Sequence, residues 1–170
     1  MSYRIIIVAL FIAMLALGAT GCQRAVERAV EEATGIRVDE DGESVTITGS
    51  GDDGEEFTME GSGGSLPSDW PSDVPVYPGA ELESSTSMRI GDSLQMVVSW
   101  KTSDDVNDVY EWYRDELPAA GWEITGDFTI EQSGQRTASV TSSKGNSSAD
   151  VYVGDDSDGG TGISIQVRTE

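Results

Sequence analysis

The chain has one cysteine, Cys22, no histidine, and 31 acidic against 10 basic residues. A lone thiol can serve as a nucleophile, a metal ligand, half of a disulfide or a point of covalent attachment. A disulfide within the chain needs a second cysteine, and there is none. A reactive thiolate is made by electropositive neighbours, most often a histidine. The same missing residue type removes Ser-His-Asp and Cys-His catalysis and the usual Cys/His zinc sites. Carboxylates remain, and two facing one substrate could run glycosidase-type acid/base chemistry. No pair stands out, because each acidic residue is accounted for by a turn, a helix cap or a solvated face. The clusters DEDGE, SGDDGE and GDDSDGG lack the alternating ligands and distal Glu of a dedicated calcium loop. The reactive inventory therefore predicts no enzyme, no cofactor and no metal, and leaves attachment as the use of Cys22.

The position of Cys22 supports that use. Arg4 precedes an apolar run from Ile5 to Leu17, and the small residues Gly18, Ala19, Thr20 and Gly21 lead to the cysteine. The run is shorter than the roughly 20 apolar residues of a comfortable membrane span, and its layout is that of a secretory signal. The ATGC sequence resembles a bacterial lipobox, although the residue three before the cysteine is Ala19 where Leu is preferred. The resemblance implies a diacylglyceryl group on the Cys22 thiol, cleavage between Gly21 and Cys22, and acylation of the new amino terminus. Two or three buried acyl chains hold a protein on a membrane durably where one would not. Gln23, rather than the Asp that retains many such proteins at the inner membrane, implies the outer membrane where the host has one.

Charge narrows the partners. The net charge is −21, and removing residues 1–21 takes away only Arg4, leaving −22. Such a surface repels phosphate backbones and anionic headgroups, so nucleic acid is excluded as a partner and the membrane is reached through lipid. With Lys101 and Lys144 the only lysines, the surface also has the character of proteins from saline habitats.

Beyond the signal at 1–21, helical spacing of Ala25, Val26, Ala29, Val30 and Ala33 predicts a helical spacer over 22–35. Alternation at Ile36, Val38, Val45, Ile47, Phe57 and Met59, broken by acidic Gly turns, predicts a small β-meander over 36–60. Residues 61–73, rich in Gly, Ser and Pro, read as a linker, and 74–170 as the main domain. There, strands from about Glu81 to Ile90 and from Ser93 to Thr102 flank Gly91 and Asp92, with Leu94, Met96, Val98 and Trp100 on the core side. A helix follows, capped by Asp105 and stopped by Gly121, with Val106, Val109, Tyr110, Tyr113, Leu117 and Ala120 in one stripe and Trp112 beside it. Later alternating runs turn Ala138, Val140, Ala149, Val151, Val153, Ile163, Ile165 and Val167 inward. Outward positions are mostly polar, with Val97 and Tyr152 the exceptions. The expected fold is α+β: an antiparallel sheet of order β-β-α-β-β-β, or one strand more, with one helix on one face, preceded by the short helix and the meander.

The stretches DVPVYPGAEL, VSWKTSDDVNDVYEWYRDELPAAGWEI and GISIQV resemble a domain of uncharacterised bacterial envelope lipoproteins, known by its Pro-Val-Tyr-Pro-Gly-Ala opening and a helix ending in Ala-Gly-Trp. These motifs are structural and bring no catalytic residue with them. The resemblance implies a fold and an envelope location; the leading expectation for its role is a lipid-anchored, non-catalytic envelope protein that engages another envelope protein as an interaction or accessory module. A second reading, a glycan- or peptide-binding module, would use Trp112, Trp70 or Tyr77 as a stacking platform. A protein partner predicts an apolar patch on the sheet face away from the helix or around Trp112; a glycan predicts a groove with an exposed aromatic beside polar groups.

Overall fold

The computed structural model describes residues 36–41, 44–50, 54–156 and 159–170. The chain divides into two compact units, Met1–Val38 and Asp39–Glu170, and the second carries the helix and nearly all of the sheet. The strands are β1 (Arg37–Asp41), β2 (Ser44–Ser50), β3 (Glu56–Ser62), β4 (Glu81–Ile90) and β5 (Ser93–Thr102), then helix α1 (Val106–Ala119), then β6 (Glu123–Gln132), β7 (Gln135–Lys144), β8 (Ser147–Asp155) and β9 (Thr161–Thr169). Among the described residues these nine strands form one sheet in the order β1-β2-β3-β4-β5-β9-β8-β7-β6. From β2 onward every pairing is antiparallel.

This arrangement overturns the expected β-β-α-β-β-β order with a separate meander. Four strands follow the helix, because the stretch after Trp122 folds as a hairpin about Ser133 and Gly134, both at positive φ (57° and 81°), as the primed two-residue turns require. The strands of residues 36–60 belong to the same sheet, with β3 pairing along β4 from Phe57↔Ile90 to Ser62↔Ser85. A thin meander satisfies its edge backbone groups by joining the larger sheet instead of standing alone. The short helix expected over 22–35, the signal segment and Cys22 lie outside the described residues.

The helix forms where its signals stand. Asp105 is the N-cap, its carboxylate accepting from the Asn107 N–H at 2.9 Å. At the other end Gly121 takes φ +88°, its N–H donates to the Pro118 carbonyl, and the Trp122 N–H reaches back to the Leu117 carbonyl at 2.9 Å. That is a Schellman closure, and it gives the Ala-Gly-Trp ending a physical reason: glycine for the left-handed turn, tryptophan to bury beside Leu117. Lys144 completes the cap, donating to the Ala120 carbonyl at 2.8 Å and pairing with Asp73 at 2.6 Å.

α1 lies against β6, β7 and β8 and buries Val106, Val109, Tyr110, Tyr113 and Leu117. Opposite them stand Met96, Val98, Val140, Ala149, Val151, Ile165 and Val167, each fully buried. The segment between β3 and β4 packs into this core through Val74 and, half-buried, Trp70 and Tyr77. Ser85 Oγ donates to the Ser65 carbonyl at 2.7 Å and Arg89 pairs with Asp69 at 2.6 Å, tying that segment to β4. One face of the sheet is thus closed by the helix and this segment. The open face is left to the alternate residues.

Candidate functional site

Period-two alternation and the strand register place a short row of open-face side chains across the sheet. Ser99 faces Ser164, Ser164 faces Tyr152, Tyr152 faces Ser139 and Ser139 faces Phe128. In the adjacent row Lys101 faces Gly162, Gly162 faces Gly154, Gly154 faces Thr137 and Thr137 faces Ile130. Tyr152, Phe128 and Ile130 are 46%, 47% and 55% exposed, yet Ser139 between the two rings is only 4% exposed.

The paired glycines make a depression between these side chains and the end of β4. A Cβ at Gly154 would come no closer than 3.6 Å to Thr137 Oγ1, and one at Gly162 would meet the Gly154 carbonyl at 3.8 Å. Both contacts are ordinary, so the glycines supply space and are not demanded by strain. The result is a groove of about 460 Å3 with Tyr152 as one wall, hydroxyls from Ser99, Ser164 and Thr137, and Glu83 and Asp155 at its rim. Asp155 accepts from the Arg136 N–H at 2.5 Å, and Asp156 pairs with Lys101 at 2.5 Å. Gly160 is a different case: at φ +126°, with any Cβ only 2.7 Å from the Thr102 carbonyl, it must be glycine for the β8–β9 connection to lie against the end of β5. Among the described residues no group of three or more carboxylates stands close enough to hold a metal.

The aromatic residues singled out from sequence fall elsewhere. Trp112 and Tyr77 come together on the helix side, edge to face with centroids 5.1 Å apart, and Trp112 meets Tyr113 at 4.8 Å. Trp70 does not join them; it packs edge-on against Trp100 at 5.7 Å. Its Nε1 is buried and has no hydrogen-bond partner among the described residues. The three half-buried rings contribute packing, whereas the exposed rings, Phe128 and Tyr152, stand on the open face. Alternation already marked Tyr152 as an outward exception. Phe128 and Ile130 take the open face because a bulge between Ile124 and Gly126 resets the alternation along β6.

The tyrosines also carry a pH response. Burial, and then the hydrogen bond to Asp104 at 2.7 Å, push the Tyr77 phenol up to about 12 from 10.0. Burial and the 2.5 Å bond to Asp127 raise Tyr110, with Arg114 opposing, and burial raises Tyr113. A raised phenol holds its proton in the folded chain after the unfolded chain has released it. Its stabilisation is therefore complete below pH 10.0 and lost as pH climbs through about 12. The urea midpoint is expected to hold level from pH 8 to 9 and fall above about 10, with Tyr77→Phe making the fall shallower. A midpoint unchanged up to pH 11 would rule this out.

Residues 82–169, more than half of the chain, match a family model described as START domain-like. The match runs from β4 to β9 and so includes the helix and the groove. No curated protein matches the chain.

Proposed function

This chain belongs to the START domain-like family, and we propose that it is a lipid-anchored, non-catalytic protein of the bacterial cell envelope that works by engaging another envelope protein. The observation that carries the reading is the open face: Phe128, Ile130 and Tyr152 project from the side of the sheet that α1 does not cover, each close to half exposed or more. Large apolar side chains grouped on a free face are characteristic of interaction surfaces, where aromatic residues contribute most of the affinity. A lipid on Cys22 would hold the protein to the membrane, on the periplasmic side of the outer membrane in a diderm host, and the net charge of −21 would keep it from nucleic acid and anionic headgroups.

The groove beside Tyr152 supports a second reading. An aromatic wall, three hydroxyls and rim carboxylates suit a neutral polyhydroxyl ligand such as a glycan, which stacks on the ring and donates to the carboxylates. An extended peptide could lie there too.

Crosslinking in the native envelope separates these. One recurrent protein partner is expected, with recovery falling about tenfold or more in Phe128→Ala and Tyr152→Ala, the usual size for loss of an aromatic anchor. No enriched protein, together with oligosaccharide-induced NMR shifts at Ser99, Tyr152 and Ser164, would replace the protein-partner reading with the glycan one.

A further inference from the structure

We propose that the outer edge of β6 is a docking strand for an extended segment of a partner protein that alternates apolar with basic residues. The inference rests on the reading of this protein as an interaction module and names where and how the partner sits.

β6 ends the sheet order, and among the described residues no strand pairs with its outer side. It is ten residues long, and every residue except Ile124 is exposed. A strand of this length offers a row of unpaired N–H and C=O groups, which a further strand satisfies directly. Proteins blunt such edges with bulges, with lysine, or by covering them. Here the bulge falls at Ile124/Gly126, leaving the stretch from Asp127 to Gln132 regular, and β6 contains no lysine or arginine.

The two sides of this strand differ. Phe128 and Ile130 share the open face with Tyr152, while Asp127 and Glu131 face the helix side opposite Val140 and Arg136. An added strand would therefore meet Phe128 and Ile130 on one side and Asp127, Thr129 and Glu131 on the other. Arg114 and Arg136 stand near those carboxylates at 3.5 and 3.3 Å, but Arg136 also serves Asp105 at 3.6 Å. Asp127 also accepts the Tyr110 hydroxyl at 2.5 Å, but β6 itself carries Glu123, Asp127 and Glu131 against no basic residue, on a chain of net charge −21.

That charge selects the occupant. A second copy paired antiparallel about Thr129 would match Phe128 with Ile130, but it would also set Asp127 against Glu131 and bring two strongly acidic molecules together. Like charges directly opposite are destabilising in a sheet. A strand with Lys or Arg at the alternate positions gains on both sides.

The test is amide hydrogen exchange of the full mature chain with three synthetic peptides: one alternating Lys and Val, one with the same residues in two blocks, and one alternating Glu and Val. The alternating basic peptide is expected to slow exchange at the β6 amides directed away from β7 by about tenfold or more, and the other two to leave them unchanged. The protection should vanish in Phe128→Ser/Ile130→Ser, whose substituted side chains are exposed and whose fold should survive. Equal protection by the blocked peptide would reduce the effect to bulk charge, and protection by none would overturn the proposal. Protection that rises with protein concentration, without peptide, would assign the edge to a second copy. None of these outcomes depends on the envelope crosslinking, so a partner captured through another surface would leave the protein-partner reading standing while the β6 proposal fell.

Discussion

Cys22→Ala is expected to abolish acylation: label from radioactive palmitate should fall from a strong signal on the wild-type chain to background on the variant. The reason lies in the inventory as much as in the motif. With one cysteine and no histidine, the chain offers the thiol no second thiol or imidazole, and its place behind an apolar run and four small residues suits attachment. One acyl chain would bind reversibly, whereas the two or three implied by the lipobox resemblance would hold the chain durably. Wild-type protein should therefore partition into detergent on phase separation, with a mature amino terminus at Cys22. The alanine variant should keep residues 1–21, because the lipobox peptidase acts on the lipid-modified cysteine. Mass measurement separates that outcome from ordinary signal cleavage, which would shorten the variant as well. A palmitate label that persists on Cys22→Ala would end the lipoprotein reading.

Sequence patterns carried the local structure well and the pairing poorly. The helix was legible to its caps, since Asp105, Gly121 and the buried stripe are set by interactions within a few residues. The inward sets of β5, β7, β8 and β9 were legible too, because period two assigns alternate residues to opposite faces. What period two cannot assign is which face a strand shows once it joins a sheet. The apolar residues of the early strands make the point. Ile47, Met59 and Met88 stand directly across from one another, and Met88 faces Gln95 on β5, whose next residue, Met96, is buried on the helix side. Their shared side is the open one, although the same alternation in isolation reads as a small core. The joining of β3 to β4 across the intervening segment, and of β9 to β5 across the helix and three strands, is decided by which edges remain unpaired. So is the place of β6 at the rim. The candidate site depends on these long-range choices, so Tyr152 could be read as outward while its neighbours Phe128 and Ile130 could not be placed beside it.

Tyr113→Ala is expected to cost about 3–5 kcal/mol, the range for removing a buried aromatic side chain. Tyr113 is fully buried, meets Trp112 at 4.8 Å and Tyr77 at 6.4 Å, and accepts the Tyr77 N–H on Oη at 3.3 Å. It therefore joins α1 to the segment that precedes β4. Against the roughly 5–15 kcal/mol of a typical domain, the loss would leave the fold marginal at best. Tyr113→Phe separates packing from hydrogen bonding: it keeps the ring and leaves the Tyr77 amide short of its acceptor, for about 1–3 kcal/mol. Tyr152→Ala, on the open face, should stay within about 0.5 kcal/mol of wild type. Urea unfolding of the full mature chain measures all three, and a Tyr113→Ala cost below about 1 kcal/mol would contradict the packing described for the closed face. The expected contrast has a functional consequence. Stability is concentrated where the helix meets the sheet, so the open face and the β6 edge can carry large exposed side chains whose loss disturbs binding and leaves the fold intact.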